Sequence, residues 1–174
     1  ARPASVAVAP ASAAAAEDPS NVTFAVQLEA DGDAMWTVRA TFDLETAAER
    51  SAFEAVAADY RSGQSRSLGL DAFRNASEAA SRATGREMRI ANPDRSASSA
   101  AAIRNGTGWL SLSFTWTNFA AVREDEDIVV GDAFNTSSGT WLAGLGPDQT
   151  LIITPPESHN PFAGDGVLTQ RSFR

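Results

Sequence analysis

Between Asn21 and Ala30 the chain alternates. Val22, Phe24, Val26 and Leu28 fall on one side; Thr23, Ala25, Gln27 and Glu29 fall on the other. A period of two is the pattern of a half-buried strand. Asp31-Gly32-Asp33 supplies turn chemistry, and the alternation resumes with Trp36, Val38, Ala40 and Phe42 against Thr37, Arg39, Thr41 and Asp43. These two runs predict an antiparallel hairpin.

From Glu45 to Arg61 the period lengthens. Phe53, Val56, Ala57 and Tyr60 fall at helical spacing, and Ser62-Gly63-Gln64-Ser65 breaks the pattern. Asp71 to Thr84 predicts a second helix, with Phe73, Ala76, Ala80 and Ala83 on one face and Gly85 placed to cap its end. Strands are expected again at Glu87 to Ala91, stopping at Asn92-Pro93-Asp94, and at Ala97 to Arg104 and Trp109 to Asn118. The last two flank Asn105-Gly106, the strongest short hairpin signal. Ile128 to Val130 and Gln149 to Thr154 add shorter strands around a glycine-rich loop. Pro155-Pro156 ends the last of these, and Asp165 to Phe173 is a candidate edge strand. The order predicts an α+β fold: two layers, a mainly antiparallel twisted sheet with two helices packed on one face.

Residues 1–20 stand outside this pattern. They are Ala, Pro, Ser and Val, with Arg2 the only charge before Glu17. The apolar run Val6 to Ala16 contains Pro10 and is too short to span a bilayer. Ala14-Ala15-Ala16 reads as a small-residue cleavage site, so the segment is expected to be a signal-peptide remnant or a disordered Ala/Pro-rich tail. The missing initiating Met implies an upstream portion. Residues 21–174 are expected to form a single α+β ectodomain, long enough to bury its own core.

Charge changes the picture. Asp and Glu total 22 against 14 basic residues, for a net −8, and every basic residue is Arg. Lys is normally among the commonest residues, so its absence points to a GC-rich genome and a carboxylate-rich surface suited to concentrated salt. At molar ionic strength the Debye length falls to about 3 Å, and carboxylate repulsion is screened. A pI near 4.6 with dispersed Arg offers no phosphate-tracking stripe, so no nucleic acid is expected to bind this domain. Zero Cys excludes disulfides, thiolate metal sites and cysteine nucleophiles, and the lone His159 excludes a multi-histidine metal site.

Several stretches together resemble a known family. Leu28-Glu29-Ala30-Asp31-Gly32-Asp33-Ala34-Met35-Trp36-Thr37-Val38 leads into Phe42-Asp43-Leu44, then Phe53 and Tyr60-Arg61. Later come Phe114-Thr115-Trp116-Thr117-Asn118-Phe119, Gly131-Asp132-Ala133-Phe134, Trp141-Leu142, and Leu151-Ile152-Ile153-Thr154-Pro155-Pro156. From Asn21 to Pro156 the chain resembles a haloarchaeal family of uncharacterised exported domains. In that family the domain commonly lies between a signal peptide and a membrane helix, often followed by a cytoplasmic winged helix-turn-helix. The resemblance implies fold and compartment; it assigns no role to any residue. The chain stops at Arg174, so an excised ectodomain and a freely secreted branch are both open. Membrane contact is expected only through a segment absent from this chain.

Candidate chemistry is sparse. Glu124-Asp125-Glu126-Asp127 and Asp31-Gly32-Asp33 concentrate oxygen ligands, but neither matches a twelve-residue calcium loop, and a solvated loop and a hairpin turn are expected instead. His159 and Ser158 are adjacent in a Pro-rich segment and point apart, so they make no nucleophile–base pair. No Gly-x-Ser-x-Gly elbow or phosphate-cradling loop occurs. No catalytic residue, metal site or cofactor is expected. Trp36 and Trp116 fall on core faces, whereas Trp109 and Trp141 sit by glycine-rich turns where they could present aromatic surface to a partner. Sequons at Asn21, Asn75, Asn105 and Asn135 exceed chance and suggest glycosylation outside the cell. The expected function is a non-enzymatic extracytoplasmic sensing or interaction domain at the cell surface, with an unknown protein or surface partner. The alternatives are a structural self-assembling surface protein and a secreted enzyme with an unrecognised carboxylate site.

Overall fold

The β1–β2 hairpin forms where the alternation placed it. β1 (Asn21–Leu28) and β2 (Ala34–Asp43) pair antiparallel, with Val26 opposite Trp36 and Phe24 opposite Val38. The computed structural model describes residues 19–124, 127–130 and 145–156. The candidate strand Asp165 to Phe173 lies outside these described residues.

Two helices follow. α1 (Ala47–Arg61) begins with a capping box: the Thr46 hydroxyl accepts from the Glu49 amide, and the Glu49 carboxylate accepts from the Thr46 amide at 2.8 Å. The Thr46 amide holds the Glu49 carboxyl below its usual range. α1 buries Phe53, Ala57 and Tyr60. α2 (Leu70–Thr84) buries Leu70, Phe73, Ser77 and Ala80, and ends at Gly85, whose left-handed φ of 72° directs its N–H to the Ser81 carbonyl. Ala83, expected on the apolar face, is exposed.

The middle of the chain departs from expectation in four ways. β3 (Ile90–Ala97) runs straight through Asn92-Pro93-Asp94 rather than stopping there. It is an edge strand, where a missing N–H is tolerated, and Asn92 at φ 51° takes up the irregularity as a register shift. Second, the expected strand Ala97 to Arg104 is instead helix α3 (Ala100–Arg104), with the Ser99 hydroxyl accepting from the Ala102 amide. An alanine run after an N-cap serine favours helix, and Asn105 caps it, so Asn105-Gly106 is no hairpin turn. β4 (Thr107–Trp116) then pairs with β2 and β3. Third, Ile128–Val129 (β6) pairs not with the main sheet but with β5, Ala121–Val122, in a separate two-stranded sheet. Fourth, β7 (Gln149–Thr154) joins β1 in parallel, making the main sheet mixed.

The main sheet has the order β3-β4-β2-β1-β7, and α1 and α2 cover one face, giving the two-layer α+β architecture. Beneath α2 lies the larger core, centred on Trp36, Phe73, Phe114, Trp116 and Phe119. Beneath α1 lies a smaller one of Leu44, Phe53, Ala57, Tyr60, Ile103 and Leu110. Among the described residues no helix is long and apolar enough to cross a membrane.

The opposite face carries small polar side chains in rows set by the register. One row is Ile152, Ala25, Thr37 and Ser113; the next is Thr154, Gln27, Met35 and Thr115. Met35 is 49% and Ile152 38% exposed.

Tyr60, the only tyrosine, lies wholly within the α1 core and donates its hydroxyl to the Ser111 carbonyl at 3.1 Å. Burial pushes its phenol up to about 12 from the ordinary 10; Arg95 opposes that rise and Asp94 adds to it. The folded state therefore holds the proton where the unfolded chain has lost it. Stability from this buried phenol is complete below the unfolded pKa and is lost as pH rises through the folded value, by about 2–3 kcal/mol in all. Alkaline titration should show no phenolate absorbance near the ordinary tyrosine pKa. The signal should appear only toward the raised value, together with loss of circular dichroism. A separate, earlier phenolate transition in the folded protein would contradict this burial.

Candidate functional site

A groove opens at the seam between the two cores. Its floor is one inner row of the sheet: Val22 pairs with Ala40, and Ala40 pairs with Leu110. On either side of Ala40 along β2 stand Val38 and Phe42, so the small alanine leaves space beneath the helices. Phe42, Phe53 and Val56 form one wall, and Pro19 and Leu68 line the remainder. The Phe42 and Phe53 rings lie 5.1 Å apart. Phe53 reaches that position because Gly108, opposite Phe42, has no side chain; a Cβ there would meet the Phe53 ring at 2.9 Å.

The cavity volume is about 480 Å³, within the range of small-molecule sites. Among the described residues the polar ones are few: Asp59, Ser65 and Ser67. The Ser65 and Ser67 hydroxyls share a hydrogen bond of 2.8 Å, and the Asp59 carbonyl closes the turn after α1 by accepting from the Gln64 and Ser65 amides. Leu68 adopts φ 66°, a left-handed conformation costing about 1–2 kcal/mol for a residue with a Cβ. Its side chain packs against both cores, and that packing offsets the cost. The strained residue therefore borders the groove.

The residues singled out in the sequence lie elsewhere. Trp109 is half-buried on the helix-free face, with the Arg39 guanidinium 4.3 Å from its ring centroid. Asn21, Asn75 and Asn105 are all exposed: at the start of β1, on α2 and at the end of α3. The Thr23 hydroxyl of the first sequon donates to the Asn21 side-chain oxygen at 3.0 Å, whereas Ser77 of the second is buried and donates to the Arg74 carbonyl. Trp36 and Trp116 are fully buried. Asn135, Trp141, Ser158, His159, Asp125 and Glu126 lie outside the described residues.

Asp31 and Asp33 serve the turn. Asp31 accepts from the Asp33 amide at 3.0 Å, and Asp33 accepts from the Asn118 amide at 2.8 Å. Among the described residues no three acidic or histidine side chains converge on a point that could hold a metal. None of the groove residues was singled out from the sequence as a site. Leu68 and Val56 carry no motif, and the one local signal was alanine at position 40 within a strand of larger apolar residues.

Fold and groove together define a two-layer α+β domain with an apolar cleft at the junction of its cores. The DUF7345 family, a domain of unknown function, matches residues 25–159, and the chain belongs to that family. No curated protein and no solved structure matches the chain.

Proposed function

We propose that this is a non-enzymatic extracytoplasmic sensing domain whose groove takes a small, neutral, mainly apolar molecule. The observation that carries the reading is the groove's chemistry: an apolar floor and walls with polar residues, among those described, confined to Asp59, Ser65 and Ser67. Among the described residues Asp59 is the only ionisable one lining it, and the chain carries −8, so an anionic ligand is disfavoured. Hydroxyl or amide donors at one end of the ligand match the carboxylate and the two serines. The setting belongs to the same reading. Lysine-free, acidic composition and exposed sequons support a halophilic cell surface, and the family resemblance supports a membrane-anchored parent carrying a winged helix-turn-helix.

The test is a fluorescence titration with N-phenyl-1-naphthylamine, a neutral apolar probe that brightens on leaving water. The wild-type chain should bind it with saturation. Val56→Trp, which puts a large side chain into the groove from a half-buried position, should weaken binding at least about tenfold, as a filled pocket requires. Absence of wild-type binding, or equal binding by Val56→Trp, would refute the assignment.

A further inference from the structure

We infer that the helix-free face of the sheet is an interface between two copies of this chain. The observation is the placement of charge. The chain has 22 carboxylic side chains, yet β1, β4 and β7 contain none. On β2 the only one is Asp43, its last residue, and on edge strand β3 it is Asp94. Among the described residues, carboxylates thus stop at the margin of this face, and the single cation in its interior, Arg39, is stacked on Trp109.

A solvated sheet face needs only polar side chains, and Thr37, Ser113 and Thr115 would satisfy that. It does not explain why a chain that places acids on its hairpin turns and on both helices spares this surface. Glu29, Asp31, Glu54, Asp59, Asp71 and Glu78 are all exposed in those other places. Contact through those regions takes carboxylates out of water without partners, a cost that salt does not screen. The sheet face lets two copies meet without that cost. Its central residues Met35 and Thr37 are exposed, its side chains are short, and Met35 and Ile152 supply apolar contact.

Area sets the strength. Strands about 4.8 Å apart rising about 3.4 Å per residue give this face roughly 500–600 Å² per copy, about 1,000–1,200 Å² for the pair. That sits at the lower limit for a specific association, in the class of weak, transient contacts. The inference is independent of the groove, which lies on the other side of the sheet.

Sedimentation equilibrium in molar salt, from low micromolar to near-millimolar chain, tests it. The wild type should pass from monomer to dimer and no further. Thr37→Glu puts a carboxylate at the centre of the face and should raise the dissociation constant at least about tenfold, because each dimer then buries two unpaired carboxylates, a cost that salt does not screen. Ala55→Glu, on the exposed side of α1, adds the same charge elsewhere and should leave the constant within about twofold. Both positions are exposed, so both variants are expected to fold, with circular dichroism as the check. A wild type that remains monomeric throughout, or an equal effect of the two substitutions, would overturn the inference.

Discussion

Replacing Trp36 with alanine should destabilise the domain by about 3–5 kcal/mol, a large share of the stability of a domain this size. Trp36 is completely buried. Its ring centroid lies 5.5–6.1 Å from those of Phe73, Phe114, Trp116 and Phe119, so four aromatic side chains lose a partner at once. Phe73 comes from α2 and Phe119 from the segment after β4, so the residue joins helix, sheet and loop. The surrounding rings are braced by both layers and cannot collapse into the space, which places the cost at the cavity-forming end of the range. Guanidinium melts should show the midpoint falling with little change in slope. A loss below about 1 kcal/mol would mean that the core repacks around the gap.

The second large effect is expected at Gly32. Its φ is +93°, and a Cβ there would sit 2.7 Å from the Ala120 carbonyl oxygen and 3.2 Å from the Val122 side chain. The neighbour is backbone, so it cannot swing aside. The Gly32 carbonyl also accepts from the Ala120 amide at 2.9 Å, and the adjacent Asp33 holds the Asn118 amide. Gly32→Val therefore combines backbone strain with displacement of the loop that carries Phe119. The expected loss is about 2–4 kcal/mol. Thermal unfolding measures it, and a substitution as mild as a surface change would contradict the close approach.

Local pattern reached the elements whose periodicity was long. β1, β2, β4, α1 and α2 each show eight or more residues of consistent pattern, and their buried faces carry most of the residues expected. It failed where two local codes competed. Ser99 followed by alanines is a helix start, and Asn105-Gly106 is equally compatible with a hairpin turn; tertiary packing of Ile103 into the α1 core decided for the helix. β5 is two residues long, too short to show any period. The parallel pairing of β7 with β1 has no local signature, since orientation is a property of the sheet and not of the strand. The groove was illegible for a related reason: it is the space left over Ala40, with the Phe53 ring drawn aside over Gly108 and the chain passing through Leu68, and absence of side-chain volume leaves no motif.

That parallel pairing governs how the domain closes. β7 lies against the first strand, and the Gln27 side chain donates to the Pro155 carbonyl across 128 positions of sequence. The hairpin, both helices and β4 can assemble from nearer neighbours, but β1 stays a one-sided strand until the far end of the domain arrives. Loop-closure entropy favours the nearer contacts first, so this docking is expected late in folding. β7 is therefore expected to open ahead of the aromatic core, which hydrogen exchange would show as the β7-facing amides of β1 exchanging before the amides around Trp36.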